Sequence, residues 1–230
     1  MKAYNYFNKK NISKNYLNLY SKKKDFNQYP ANDLRLKIVL SILNKNKPKK
    51  ILDAGCGSGM PLIIIKKKGF DISGYDKSSN MVKEAKKNLK KHNLNENLIF
   101  CNDFENPKKI KRNYYDCILG LGAFYYSKNI FKTLNKQTQI LRKNGKIIFS
   151  LRNKLFNIST FNNYTKIFFK ELFNEDRLIG KEKLLLKKIL RNFDLRNKKK
   201  NIDDVGVFST SHNPLNIDDE LLKKVGLKKE

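Results

Sequence analysis

The sequence predicts an α/β fold: a doubly wound, mostly parallel sheet with helices on both faces. Three observations carry this. Between residues 51 and 151, short apolar runs alternate with segments of helical spacing, the pattern of successive βαβ units. The first apolar run, Ile51 to Ala54, passes directly into Gly55-Cys56-Gly57-Ser58-Gly59, a strand–loop–helix transition. After Arg152 the alternation gives way to two helical stretches, which reads as a helical insertion after the fifth strand. A length of 230 residues suits one such domain with a modest insertion and is enough to bury a core.

Each element has its own local reason. Residues 1–31 are polar with interleaved aromatics (Tyr4, Tyr6, Phe7, Tyr16, Tyr20, Phe26, Tyr29) and are expected to form an N-terminal cap segment over a site. From Asn32, the spacing of Leu34, Ile38, Leu40, Ile42 and Leu43 predicts a helix that Pro48 ends. Ile51–Ala54 is the first strand. Residues 61–68 form a helix opened by Pro61 in its first turn. Residues 70–75 are a strand, and 79–92 a helix with Ser78 or Ser79 as its cap. Strands follow at 98–101 and 115–121, then a helix at 129–141. The turn Lys143-Asn144-Gly145 leads into a strand at 146–151. The core is thus expected over 32–152. In 153–230, helices are expected near 160–173 and 180–193, a strand or extended stretch at 202–211, and a last helix from Asp218 to Lys224 closed by Gly226.

Composition narrows the functional classes. No run approaches the roughly 18 apolar residues of a membrane span, and Met1 to Lys10 has no apolar centre of a secretory signal, so a cytoplasmic protein without membrane partners is expected. Cys56, Cys101 and Cys117 have neither metal-binding nor redox spacing and read as buried, reduced thiols; no metal site is expected. The net charge of +29 on its own suits a nucleic-acid partner. Against that, lysine greatly outnumbers arginine, whose planar fork serves specific phosphate and base recognition. Lys, Asn, Ile, Tyr and Phe, all abundant here, also share AT-rich codons. The runs Lys22–Lys24, Lys66–Lys68, Lys86–Lys91 and Lys198–Lys200 are spread along the chain and read as solvated faces.

Ligands of open parallel sheets bind beyond the carboxyl ends of the strands. Four loops should meet there. The first is Asp53 to Gly59, whose glycines permit positive φ and leave room for a ligand against the backbone. The dinucleotide fingerprint needs a third glycine three places after the second; here the glycines fall at 55, 57 and 59 and position 60 is Met. The second loop begins with Asp76-Lys77-Ser78. A carboxylate at Asp76 suits a pair of ribose hydroxyls, and an N-cap role is the alternative. The third loop is Asn102-Asp103-Phe104. The fourth runs from Gly120 to Tyr126.

The segment Ile51-Leu52-Asp53-Ala54-Gly55-Cys56-Gly57-Ser58-Gly59 resembles motif I of the class I S-adenosylmethionine-dependent methyltransferases, a family with a Rossmann-like fold. The resemblance covers roughly residues 30–152 and implies S-adenosyl-L-methionine as cofactor. It implies that Gly55, Cys56, Gly57 and Gly59 form the loop against its methionine part and that Asp53 orders the loop and the ammonium group. It further implies that Asp76 and Lys77 flank the ribose, that Asp103 and Phe104 take the adenine, and that Gly120 opens the loop where methyl and acceptor meet. Members of the family usually finish with an antiparallel hairpin of strands. The final hairpin is expected to be incomplete here, because Asp218 to Leu227 reads as the last helix entering strand six before the sequence stops; an open sheet edge would then favour association.

The acceptor is less legible. The fourth loop lacks the Pro-Pro-aromatic run of amino-methylating nucleic-acid enzymes, and Cys117 lacks the proline neighbour of a pyrimidine-methylating nucleophile. The expectation is therefore methyl transfer to an oxygen or nitrogen of a small-molecule acceptor, with sugar-like metabolites in view. RNA methylation and a non-catalytic, methyltransferase-like binding protein are the alternatives. Candidate catalytic residues are His212, as the side chain most easily poised near neutral pH, and Tyr125 and Tyr126 as lining of the acceptor pocket. Arg35 and Arg152 are candidates for an anionic substrate group.

Overall fold

The computed structural model describes residues 3–16, 31–156, 163–196 and 207–229. The chain divides into two compact units: Met1–Leu151 with Val207–Ser209, and Arg152–Gly206 with Thr210–Glu230. The N-terminal helices α1 (Ala3–Phe7) and α2 (Lys10–Asn15) belong to the first unit.

The first unit is built on a five-stranded sheet of order β3-β2-β1-β4-β5, every neighbouring pair parallel. The strands are β1 (Ile51–Ala54), β2 (Ile72–Asp76), β3 (Ile99–Cys101), β4 (Tyr115–Gly120) and β5 (Leu141–Phe149). β1 is buried along its whole length, so its sequence is continuously apolar except for Asp53. Strands 1 to 3 proceed outward in one direction and strands 4 and 5 in the other. The order therefore reverses between β1 and β4, and the crevice beyond their carboxyl ends is the place for a ligand.

Helices cover both faces because side chains alternate along each strand. On β2, Ile72 joins a core with Leu36, Val39 and Leu43 of α3 (Ala31–Asn46), Leu62, Ile63 and Ile65 of α4 (Met60–Lys67), and Val82, Ala85 and Leu89 of α5 (Ser79–Lys91). Gly74, on the same side, lies so close to Leu62 that a Cβ would come within 2.9 Å of its side chain. Tyr75 points the opposite way, where its hydroxyl meets Gln137 of α6 (Ile130–Thr138). α5 starts as its sequence predicts: the Ser78 hydroxyl accepts the Met81 N–H at 3.1 Å. Pro61 sits in the first turn of α4.

One strand differs from expectation. Lys143-Asn144-Gly145 is not a turn preceding β5 but a bulge within it. Leu141 pairs with Tyr115, the register then shifts, and Lys146 pairs with Cys117. Asn144 takes a positive φ of 62°, and Gly145 packs so closely that a Cβ would lie 2.9 Å from the Arg142 carbonyl. Asn-Gly serves a bulge as well as a turn. Cys101 is a second correction: Cys56 and Cys117 are buried, but Cys101 is exposed, at the end of the outer strand β3.

In the second unit, β6 (Arg152–Asn153) pairs in parallel with β7 (Ser211–His212). α7 (Asn163–Leu172) and α8 (Gly180–Arg196) stand where two helices were expected. Positions 160–162 and 202–206 of the expected elements lie outside the described residues. The last helix is a single wide turn at Asp218–Leu222 that tightens over Lys223–Val225; Gly226 closes it at a φ of 68°. Among the described residues, no helix is long and apolar enough to cross a membrane.

Candidate functional site

The loops at the carboxyl ends of β1, β2, β3 and β4 surround a cavity of about 480 Å³. Gly55, Gly57, Asp76, Lys77, Asp103 and Phe104 line it, together with Tyr126. The glycine loop is held from behind. Gly55 and Cys56 both donate their N–H groups to the Tyr75 carbonyl, at 2.8 and 3.0 Å. The buried Asn88 amide donates to the Ser58 carbonyl at 2.9 Å. Gly55 has a φ of 86°, and a Cβ there would meet the Ala123 methyl at 2.5 Å, so glycine is required on both counts.

Asp76 joins two loops. Its Oδ2 accepts the Gly57 N–H at 2.9 Å and its Oδ1 accepts the Ser78 N–H at 2.8 Å. A carboxylate has roughly four acceptor sites, so capacity remains for a ligand hydroxyl. Burial pushes its pKa up, and the backbone N–H groups oppose that shift.

Asp53 sits directly beneath the glycine loop, 1% exposed. Neither of its carboxylate oxygens has a hydrogen-bond partner among the described residues. Burial first and the nearby Asp76 second push its pKa up to about 7, and Arg35 pulls the other way. A buried, unpartnered carboxylate is costly, and a cationic group is what would relieve it. The glycine loop without room for side chains and the acid at the end of β2 fit a ligand that carries a diol; Asp53 lies outside the cavity lining, so its carboxylate favours a cationic ligand through its charge and not through contact.

The third and fourth loops are fixed to each other. Asp103 pairs with the Lys77 ammonium at 2.6 Å through Oδ2 and accepts the Glu105 N–H at 2.9 Å through Oδ1. Gln137 donates to the Phe104 carbonyl at 2.8 Å. Glu105 Oε1 accepts the Lys128 N–H at 2.8 Å and the Ser127 hydroxyl at 3.2 Å. The Tyr126 ring lies 4.5 Å from that of Tyr125 and meets Phe7 edge-on at 5.3 Å. Ala3, Tyr4, Phe7 and Tyr16 add a wall of small and aromatic side chains to the cavity.

Other sequence candidates are placed differently. Gly59 caps α4 at a φ of 80°, packed on Ile99 and Ala85. The Cys56 thiol is buried, and burial holds its pKa well above the usual thiol value. Gly120 makes room for the Phe124 ring, which a Cβ would meet at 2.6 Å. These three shape the loops from behind and do not line the cavity. The Arg35 guanidinium donates to Asn32 at 2.7 Å and lies 3.2 Å from where a side chain on Gly122 would begin. His212 and Arg152 belong to the second unit. There the His212 Nε2 is buried without a hydrogen-bond partner among the described residues, and burial lowers the imidazole pKa.

Sequence reasoning missed Asn88, Gln137 and Glu105. Asn88 had a visible signal, a polar residue on the otherwise apolar helix stripe Met81-Val82-Ala85-Asn88-Leu89; Gln137 had a weaker one, because its stripe Ile130-Thr133-Leu134-Gln137 already holds a second polar residue. Glu105 had none.

With this geometry in place, comparison with known proteins settles the class. The chain belongs to the class I S-adenosylmethionine-dependent methyltransferases: residues 45–197 match the family described as a methyltransferase domain. An uncharacterised protein of Haemophilus influenzae is 31% identical over 124 residues, covering 49% of this chain and 45% of that protein. A ubiquinone biosynthesis O-methyltransferase of Coxiella burnetii is 27% identical over 125 residues, covering 54% and 52%. The chain thus spans about half the length of the curated relatives it matches. The crystal structure of magnesium protoporphyrin IX methyltransferase from Synechocystis, with bound SAH, superimposes with a TM-score of 0.59 at 16% identity, covering 94% of this chain and 84% of that one. At that identity the likeness is one of fold.

Proposed function

We propose that the chain transfers a methyl group from S-adenosylmethionine to an oxygen or nitrogen of a small-molecule acceptor, within the cavity at the carboxyl ends of β1, β2, β3 and β4. The observation that carries this reading is the aromatic lining of that cavity, where Tyr4, Phe7, Tyr16, Phe104 and Tyr126 join Gly55, Gly57 and Asp76. When bound, the cofactor supplies an activated sulfonium methyl group.

The residues divide the remaining work. Gly55 and Gly57 leave the backbone open to the methionine part, with Cys56 and Gly59 shaping the loop from behind. Asp53, outside the cavity lining, helps to order the loop and the ammonium group. Asp76 takes the ribose hydroxyls on its free lone pairs. Lys77 steadies Asp103, and Asp103 with Phe104 holds the adenine. Gly120 lets the fourth loop fold back on Phe124, which sets Tyr126 in the wall. Methyl transfer needs the acceptor held in line and kept from water, and such positioning supplies much of the acceleration. Tyr126, in the cavity lining, and Tyr125, outside it and packed on Tyr126, are the proposed acceptor contacts. A base helps an oxygen acceptor more than a neutral amine. His212, the proposed base, has its imidazole pKa lowered by burial, a direction that favours the neutral form. A cytoplasmic setting belongs to the same reading, since the three cysteines are unpaired thiols.

The charge of +29 favours RNA as a second acceptor. Label transfer from methyl-labelled S-adenosylmethionine decides between them, offered to a pool of small phenols, amines and sugars and, separately, to total RNA. The proposal expects label in the small-molecule fraction. Label in RNA, falling steeply as salt is raised, would replace it with the second reading. Cofactor binding without transfer to either pool would mark a non-catalytic binding protein.

A further inference from the structure

α1 and α2 have five and six residues, too few to be stable alone in water, yet Phe7 and Tyr16 supply part of the cavity wall. What fixes them is concentrated at Asn8, in the turn between the two helices. Its Oδ1 accepts three hydrogen bonds from the start of α5: from the Ser78 hydroxyl at 3.0 Å, the Ser79 hydroxyl at 3.3 Å and the Asn80 N–H at 3.2 Å. Its carbonyl accepts the Asn80 side-chain amide, and the neighbouring Phe7 carbonyl faces the Ser78 hydroxyl at 3.2 Å. The first N–H groups of a helix lack partners within the helix. α5 satisfies one, at Met81, through Ser78 and another, at Asn80, through Asn8, from a segment 72 residues away in sequence.

The place of this junction matters. Residues 78–80 directly follow Asp76 and Lys77, both in the cavity lining. In the same lining, the Phe7 ring meets Tyr16 edge-on at 5.9 Å and Tyr126 at 5.3 Å. Tyr16 lies over the glycine loop, 3.1 Å from where a Cβ on Gly57 would sit. One asparagine therefore ties the aromatic wall to the same stretch of chain that carries Asp76.

We propose that Asn8 is a positioning residue for the methyl-transfer reaction: it clasps α1 and α2 onto the start of α5, holds Phe7 and Tyr16 over the cofactor, and so sets how fast the cofactor leaves. The inference rests on the cofactor reading above.

The experiment compares the wild type with Asn8→Ala, Asn8→Leu and Asn8→Asp. Aspartate retains the acceptor oxygen that makes all three side-chain contacts. S-adenosylmethionine is the probe, with its dissociation constant from calorimetry and its release rate from stopped-flow displacement. The clasp predicts release faster by on the order of tenfold in Asn8→Ala and Asn8→Leu, near-wild-type release in Asn8→Asp, and similar unfolding midpoints for all four without cofactor. Wild-type release rates in Asn8→Ala and Asn8→Leu would overturn it, as would an Asn8→Asp defect equal to that of alanine. If the alanine and leucine variants do not fold, amide exchange on the wild type decides. Residues 3–16 and 78–80 must gain protection together on addition of S-adenosylmethionine, and protection of 78–80 alone overturns the clasp. A wild type that binds the cofactor while Asn8→Ala matches it fails the clasp only; a wild type that binds none fails the cofactor reading and the clasp with it.

Discussion

At the scale of single residues, two acids do different work in one small space. Asp76 accepts two backbone N–H groups and lines the cavity; Asp53 is buried beneath the glycine loop with neither oxygen paired among the described residues. Asp76→Ala should weaken S-adenosylmethionine by about 1–3 kcal/mol through lost charge-assisted hydrogen bonds; an unchanged dissociation constant in calorimetry would take Asp76 out of the ribose role. Asp53 bears on stability. Its pKa rises from the ordinary carboxylate value to about 7 on folding, chiefly through burial. Between those values the folded state binds more protons at Asp53 than the unfolded one, so the stability this group contributes is fully present below the ordinary carboxylate value and is lost as pH rises through about 7. Asp53→Asn removes that dependence. Relative to wild type, the cofactor-free variant should gain on the order of 3 kcal/mol in urea unfolding between pH 4 and pH 8. A difference that stays flat across this window would show that Asp53 is not titrating there.

At the scale of elements, the strand–helix alternation was legible from residue 51 to 151 because buried parallel strands leave short, continuous apolar runs and their helices leave 3.6-residue spacing. The four loops at the strand ends followed from that alternation, and Gly55, Gly57, Asp76, Lys77, Asp103 and Phe104 do meet around one cavity. The bulge in β5 was not legible, since Lys143-Asn144-Gly145 carries the same conformational signal whether the chain reverses or merely kinks. Nor could the sequence say that Lys77 would be spent on Asp103, or that Asn8 would reach α5; a side chain's partner across a long loop leaves no trace in local spacing. Asn88 is intermediate. It interrupts an apolar stripe, which flags it, but the Ser58 carbonyl it holds becomes visible once α5 lies behind the glycine loop. Asn88→Leu leaves that buried carbonyl without its donor. We expect a loss of about 1–3 kcal/mol in thermal or urea unfolding, accompanied by weaker cofactor binding; wild-type affinity in a stable variant would mean that the glycine loop holds its shape without α5.

At the scale of the whole molecule, the parallel sheet places its reversal between β1 and β4, and the candidate cavity lies at that crevice. Charge and site point to different acceptors. The +29 net charge would draw any polyanion at low salt, whereas the cavity is walled by aromatic rings suited to a small acceptor. Both acceptor readings depend on the same prior event, the binding of the methyl donor. The most direct measurement is therefore a calorimetric titration of the protein with S-adenosylmethionine, with NAD as the control ligand. Saturable binding of S-adenosylmethionine in the micromolar range, with none of NAD, is the predicted result; no binding of S-adenosylmethionine, or equal binding of NAD, would contradict the assignment of the cavity.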